Sequence, residues 1–255
     1  MIRRTICLVL LMLLLTAPSF AEENDLKVLF DFAEWLAERI NQPDPYMWIF
    51  EKEADAGIEE IPEIAQMLRD LGIDDVTEQV EEEYTESVQM CIDLMAEYGF
   101  EYEISREQMI LGLLFTAGSK NDTRSVYAFD AEIYDVDTMY RDFLHGVARI
   151  SGGELAFDCI NEDLSGVVWE TGEGKRMVTF DYHEKTFSFE AIAQQDWFDM
   201  NMLSFLHDAV GVNESGKELY FVLDGAQGVI LFYQTSQWAK NFTRITGCPL
   251  FTSLE

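Results

Sequence analysis

The spacing of apolar residues changes near position 120, and no other feature restricts the fold of this chain as strongly. From Leu26 to about Thr116, apolar side chains recur at intervals of three and four, which gathers them on one side of a helix. Leu26, Phe30, Ala33, Leu36 and Ile40 make one stripe; Ile73, Val76, Val80, Tyr84, Val88, Cys91, Met95 and Tyr98 make a longer one. Pro43 and Pro45 interrupt the chain between them, and EIPEIAQMLRDLG reads as a shorter helix ending at Gly72. Asp74 and Asp75 are expected to open the long helix, where negative charge meets unpaired amides, and Gly99 to close it. Ser105 and Gln108 have the spacing of a capping box ahead of MILGLLF, a segment apolar enough to be a buried helix.

After GSKNDTRS the period becomes two. The sequence predicts a strand over 125–134, a helix over 136–150, and strands near 155–160, 166–171, 176–183 and 186–193. A helix over 196–210, strands over 218–224 and 228–234, and a helix over 236–246 complete the order. The fold class is α+β: an N-terminal all-α helical region, followed by an antiparallel sheet domain with helices packed on one side. Strands flank LDGAQGVI on both sides, so Asp224, Gly225 and Gly228 read as a hairpin turn and not as a nucleotide cradle. These two strands are apolar on both faces, which places them at the centre of the sheet.

The first residues, MIRRTICLVLLMLLLTAPSFA, carry two arginines, an apolar core from Ile6 to Leu15 and small residues at Ser19 and Ala21, the pattern of a cleavable export signal. The apolar run falls short of the roughly 18 residues that a membrane span needs. The expected division is residues 1–21 as signal peptide, 22–120 as an acidic helical domain and 121–255 as the α+β domain. The expected destination is the periplasm or the extracellular space, with no integral membrane segment after cleavage. A formal net charge of −31 repels nucleic acid and anionic lipid, and favours solubility, cations or basic partners. Cys91, Cys159 and Cys248 follow the signal without C-x-x-C spacing, which excludes a scaffold stapled by disulfides. Cys91 is expected in the core, and Cys159 with Cys248 is the one bridge to consider.

FDYHEKTFSFE places an Asp, a His and a Ser close together, which raises the question of a hydrolytic triad. A turn at Glu184 and Lys185 would set Tyr182 opposite Phe187 and Phe180 opposite Phe189 on one face. Asp181 would then face Ser188, and His183 would face Thr186, on the other. A serine nucleophile also needs donors aimed at the developing oxyanion, and neither a G-x-S-x-G elbow nor a helix start accompanies Ser188. The polar side therefore reads as a solvated sheet face.

Two groups remain as candidate binding residues. Arg141, His145 and Arg149 recur every fourth residue, opposite Phe143, Val147 and Ile150, and form a basic stripe that could dock against the acidic helical half. Asp196, Trp197 and Asp199 open the next helix, where Asp196 serves as a cap and Asp199 as a first-turn charge. Two carboxylates beside an aromatic would also suit sugar hydrolysis. The sequence has no metal-binding His/Cys cluster, no nucleotide loop and no nucleophile motif, so it assigns no catalytic residue, cofactor or metal. The expectation is an exported acidic protein that acts by binding another protein or a surface component; the alternative is a secreted, glycosidase-like hydrolase using paired carboxylates.

Overall fold

The computed structural model describes residues 57–254, apart from 98, 100, 101, 103 and 134. The expected export signal and the stripe from Leu26 to Ile40 lie outside the described residues. The described helical region contains α1 (Ile61–Asp70), α2 (Glu78–Glu97) and α3 (Arg106–Gly118). Pro62 sits in the first turn of α1, and Gly72 follows its end with a φ of 82°. The capping box forms as expected on α3: the Ser105 hydroxyl accepts from the Gln108 amide at 3.2 Å, and Gln108 Oε1 accepts from the Ser105 amide at 2.8 Å.

Asp75 does not open α2. The Thr77 hydroxyl takes that place, accepting from the Val80 amide at 3.2 Å. Asp75 Oδ2 instead accepts from the amides of Arg124, Ser125 and Val126 at 2.8, 2.6 and 3.1 Å. The carboxylate does meet unpaired amides, but they belong to a loop 50 residues away. This contact fastens the helical region to the start of the first strand.

The rest of the chain is β1 (Tyr127–Asp130), α4 (Met139–Ile150), β2 (Asp158–Asp163), β3 (Val167–Val168), β4 (Glu173–Tyr182), β5 (Lys185–Gln194), α5 (Asn201–Val210), β6 (Lys217–Leu223), β7 (Gly228–Thr235) and α6 (Ser236–Thr246). Among the described residues every strand pair is antiparallel, and the fold is α+β. The strands divide between two sheets. One has the order β1-β7-β6; in the other, β4 pairs with β5 along one edge and with β2 and β3 in succession along the other. The strand expected over 166–171 shrinks to two residues, because the chain turns back at once: the amides of Thr171 and Gly172 both donate to the Val168 carbonyl.

The β6–β7 hairpin is buried on both faces, which fixes the architecture. Tyr220, Val222, Ile230 and Phe232 enter a core shared with α1, α2, α3 and α6. Leu219, Phe221, Val229, Leu231 and Tyr233 enter a second core with α4, α5 and the inner face of β4–β5. The apolar MILGLLF segment supplies five fully buried side chains to the first core: Met109, Ile110, Leu111, Leu113 and Leu114. The end of α3 closes tightly on β1, since a Cβ on Gly118 would lie 2.7 Å from the Ala128 nitrogen. Cys248 is buried in the first core, Cys159 is exposed on β2, and Cys91 is buried on α2. The bridge between Cys159 and Cys248 does not form, because one lies inside a core and the other on an outer strand.

In the β4–β5 hairpin the turn falls at His183 and Glu184, with φ of 48° and 62°, one residue earlier than expected. Two successive positive φ values give the turn whose twist suits a two-residue hairpin. Pairing is displaced by two residues, so Phe180 faces Phe187 and Asp181 faces Thr186. A two-residue displacement leaves every side chain on its expected face. The inner face carries one charge into the second core: Arg176, 2% exposed as a side chain, pairs at 3.1 Å with Glu162, 1% exposed. Arg176 also donates to the Val136 carbonyl at 2.5 Å and lies 5.5 Å from the Tyr140 ring centroid. Glu162 Oε1 accepts from the Arg141 amide at 2.8 Å, in the first turn of α4. Burial raises the Glu162 carboxyl above the usual carboxylate range, against the pull of the Arg141 amide and the Arg176 charge. Arg176→Met strands this buried carboxylate and should cost on the order of 3–5 kcal/mol. Adding Glu162→Leu should recover most of that loss, as measured by chemical denaturation; a single variant as stable as the double would disprove the coupling.

Candidate functional site

The two sheets meet along a short seam. Past the end of β1, the Ala131 carbonyl accepts from the Phe198 amide at 2.8 Å, and the Ile133 amide donates to the Asp196 carbonyl at 2.7 Å. Glu132 thereby pairs with Trp197, and Trp197 pairs with Gln194 at the end of β5. The row continues through β4, where Gln194 pairs with Glu173, and ends on β3, where Glu173 pairs with Val168. Residues paired directly across antiparallel strands direct their side chains to one face. All five members of this row, Glu132, Trp197, Gln194, Glu173 and Val168, are exposed.

Because residues 194–198 are held in this pairing, the helix expected from 196 starts only at Asn201. Asp196 is not its cap. The capping work passes to Asp199, whose Oδ1 accepts from the Asn201 amide at 3.0 Å and whose Oδ2 accepts from the Ile192 amide at 2.9 Å. The Asp199 amide donates to the Tyr140 hydroxyl at 3.0 Å. Both Asp199 oxygens are thus engaged in fixing α5 against β5. Trp197 is 39% exposed between Asp196 and Asp199, so the structure gathers these three residues at one place.

The basic stripe lies elsewhere, on α4. Arg141 is exposed and its amide meets Glu162; His145 is exposed; the Arg149 guanidinium stands 5.7 Å from the Tyr127 ring centroid. The Arg149 Nε is buried without a hydrogen-bond partner among the described residues. Phe143, Val147 and Ile150, opposite the stripe, enter the second core. The Arg141 backbone amide is thus tied to β2, and the Arg149 guanidinium lies against β1.

The suspected triad is not assembled. The Ser188 hydroxyl is exposed and donates to Met177 Sδ at 2.9 Å, Asp181 accepts from the Thr186 hydroxyl at 2.6 Å, and His183 sits in the turn. Among the described residues, no group of three His, Cys, Asp or Glu side chains is placed to hold a metal ion.

Sequence reasoning missed the company Trp197 keeps. Val168, Trp169 and Ile192 are 50, 54 and 51% exposed, and the turn after Val168 is tied to the end of β5 by the Gln195 amide, which donates to the Gly172 carbonyl at 2.6 Å. Exposed acids surround them: Glu132, Glu170 and Glu173, with Glu190 paired to Lys175. The local signal was a tryptophan placed just before the glycines of TGEG, which marks it as a turn residue; its neighbours come from distant segments. On its other side Trp197 borders a cleft of about 190 Å³ walled by Ala131, Met200, Leu223 and Leu254, with the turn at 225–228 as its rim.

Asp224 holds that turn, with Oδ1 accepting from the amides of Ala226 and Gly228 at 2.8 and 2.9 Å. A Cβ on Gly228 would meet Asp224 Oδ2 at 2.2 Å and Phe115 Cδ2 at 2.9 Å, so any larger residue here would have to displace the Asp224 carboxylate from the turn. Burial pushes the Asp224 carboxyl up to about 6, opposed by those two amides and reinforced by the charge of Asp130. Burial also raises the Asp130 carboxyl. The chain matches no family model, no curated protein and no solved structure.

The Asp224 environment makes stability fall with rising pH. Between the ordinary value near 3.8 and about 6, the folded chain keeps a proton that the unfolded chain has released, so this site's favourable contribution is complete below 3.8 and lost on passing 6. In urea titrations, Asp224→Asn should gain on the order of 1–2 kcal/mol relative to the parent between pH 4 and 7. Parallel pH profiles for the two proteins would rule this out.

Proposed function

We propose that this chain is an exported acidic protein that works by binding, with the seam between its two sheets as the contact surface. The observation that carries the reading is the exposure of Trp197 in a cross-strand row that ends on exposed Val168, with Trp169 next along the chain and Ile192 two residues from Gln194 also exposed. Tryptophan is the side chain most enriched at contact hot spots, because it buries a large area while losing few rotamers. Leaving several large apolar side chains in water at one place is costly to solubility, and a partner that covers them recovers that cost. The surrounding acids and the net charge of −31 keep such a surface soluble in the free protein.

Export is the natural setting for this reading, and its support is the n-region arginines, short apolar core and Ser19/Ala21 pair of the first 21 residues. The secreted protein should begin at Glu22 on N-terminal sequencing; an intact Met1 in the exported fraction would count against it. The contact surface is tested by placing a photo-reactive residue at position 197 and, as a control, at position 82 on the exposed side of α2. In the exporting cell, position 197 should give a discrete crosslinked species that position 82 does not. Equal labelling from both sites, or none from 197, would discard the seam as the surface.

A further inference from the structure

We infer that the seam takes a basic polypeptide segment with interspersed apolar side chains, laid across the exposed row from Glu132 to Val168; this rests on the binding reading above. The row contains five successive cross-strand partners, Glu132, Trp197, Gln194, Glu173 and Val168. At about 4.8 Å per strand it spans roughly 19 Å, the length of about six extended residues. Its composition alternates in kind along that length. Trp197 and Val168 supply apolar surface, Glu132 and Glu173 supply negative charge, and Trp169 and Ile192 extend the apolar area on either side.

Charge complementarity decides the occupant. Glu132, Glu170 and Glu173 are exposed at the row, and Lys175, which faces Ile192 across β4–β5, is already paired with Glu190. An anionic partner, whether nucleic acid, acidic peptide or anionic lipid, would be repelled by these groups and by the whole chain. Lysine and arginine side chains find both a carboxylate and an indole face here, and the two attractions act on the same cation. The partner lies across the face and does not add a strand to β5, because Asp199 already takes the Ile192 amide on that edge and Trp197 pairs with Gln194.

The test uses the full secreted chain and a synthetic peptide of about eight residues alternating lysine and leucine. Two companions replace every leucine by serine or every lysine by glutamate. Binding is followed by calorimetry for the parent, for Trp169→Ala with Trp197→Ala, for Glu132→Lys with Glu173→Lys, and for Glu82→Lys with Glu86→Lys on α2. All six positions are on the surface, and near-ultraviolet circular dichroism verifies that each variant is folded. The lysine–leucine peptide should bind best, and the tryptophan pair and the seam charge pair should each weaken it about tenfold or more, while the α2 pair changes it less than about twofold. If the α2 reversal weakens binding as much as the seam variants, the attraction belongs to the net charge and the inference falls. If the glutamate–leucine peptide binds in a tryptophan-dependent way, the seam remains a contact surface but its partner is not basic. If no peptide binds while position 197 still crosslinks in cells, this partner class is wrong and the binding reading stands; loss of both removes both.

Discussion

The burial of the β6–β7 hairpin on both faces is the constraint from which the rest of the structure follows. A strand with alternating apolar and polar residues needs one covering layer; a strand apolar throughout needs two. Leu219, Phe221 and Leu231 on one side and Val222, Ile230 and Phe232 on the other are all fully buried. Each large side chain of this kind contributes about 1.5–3 kcal/mol when removed from water, so neither face can be left open. The α1–α3 region with α6 covers one face, and α4, α5 and the second sheet cover the other. The acidic helices are therefore one wall of the central sheet, joined to it by a continuous apolar core.

Two polar ties orient what the hydrophobic contacts hold together. Asp75 gathers three amides of the loop before β1, and Arg176 with Glu162 binds β4, β2 and the start of α4 inside the second core. Burial of apolar area is nearly indifferent to small rotations of the layers, whereas a carboxylate aimed at three amide hydrogens tolerates little movement. The two ties differ in cost. The Asp75 carboxylate is only partly buried, while the Arg176–Glu162 pair is removed from water and stays favourable only with every polar atom partnered. The Val136 carbonyl and the Arg141 amide supply that completion.

The seam follows from the same layering. Once the second sheet packs over one face of the first, the chain passing between them has backbone groups to satisfy at the boundary, and residues 131–133 and 196–198 satisfy one another. Their pairing delays α5, transfers the capping role from Asp196 to Asp199, and turns Trp197 outward into a row with Glu173 and Val168. A boundary built of short bridges has no facing layer of its own, which is why its apolar side chains remain uncovered.

The sequence by itself determined the elements, because their causes are local. The Ser105–Gln108 box, Gly72 and the apolar strands around LDGAQGVI each act within a few residues, and each is found where its pattern implied, whereas the helix expected from 196 is delayed to Asn201 by pairing with a distant segment. The same locality explains the faces of the β4–β5 hairpin, which survive even though the turn lies one residue from its expected place. Tertiary structure alone decided what meets what: the target of Asp75, the burial of Arg176, the separation of Cys159 from Cys248, and the company of Trp197. Those outcomes depend on contacts between segments tens of residues apart, and a side chain's chemistry names what it can bind without naming which distant partner the packing will bring within reach.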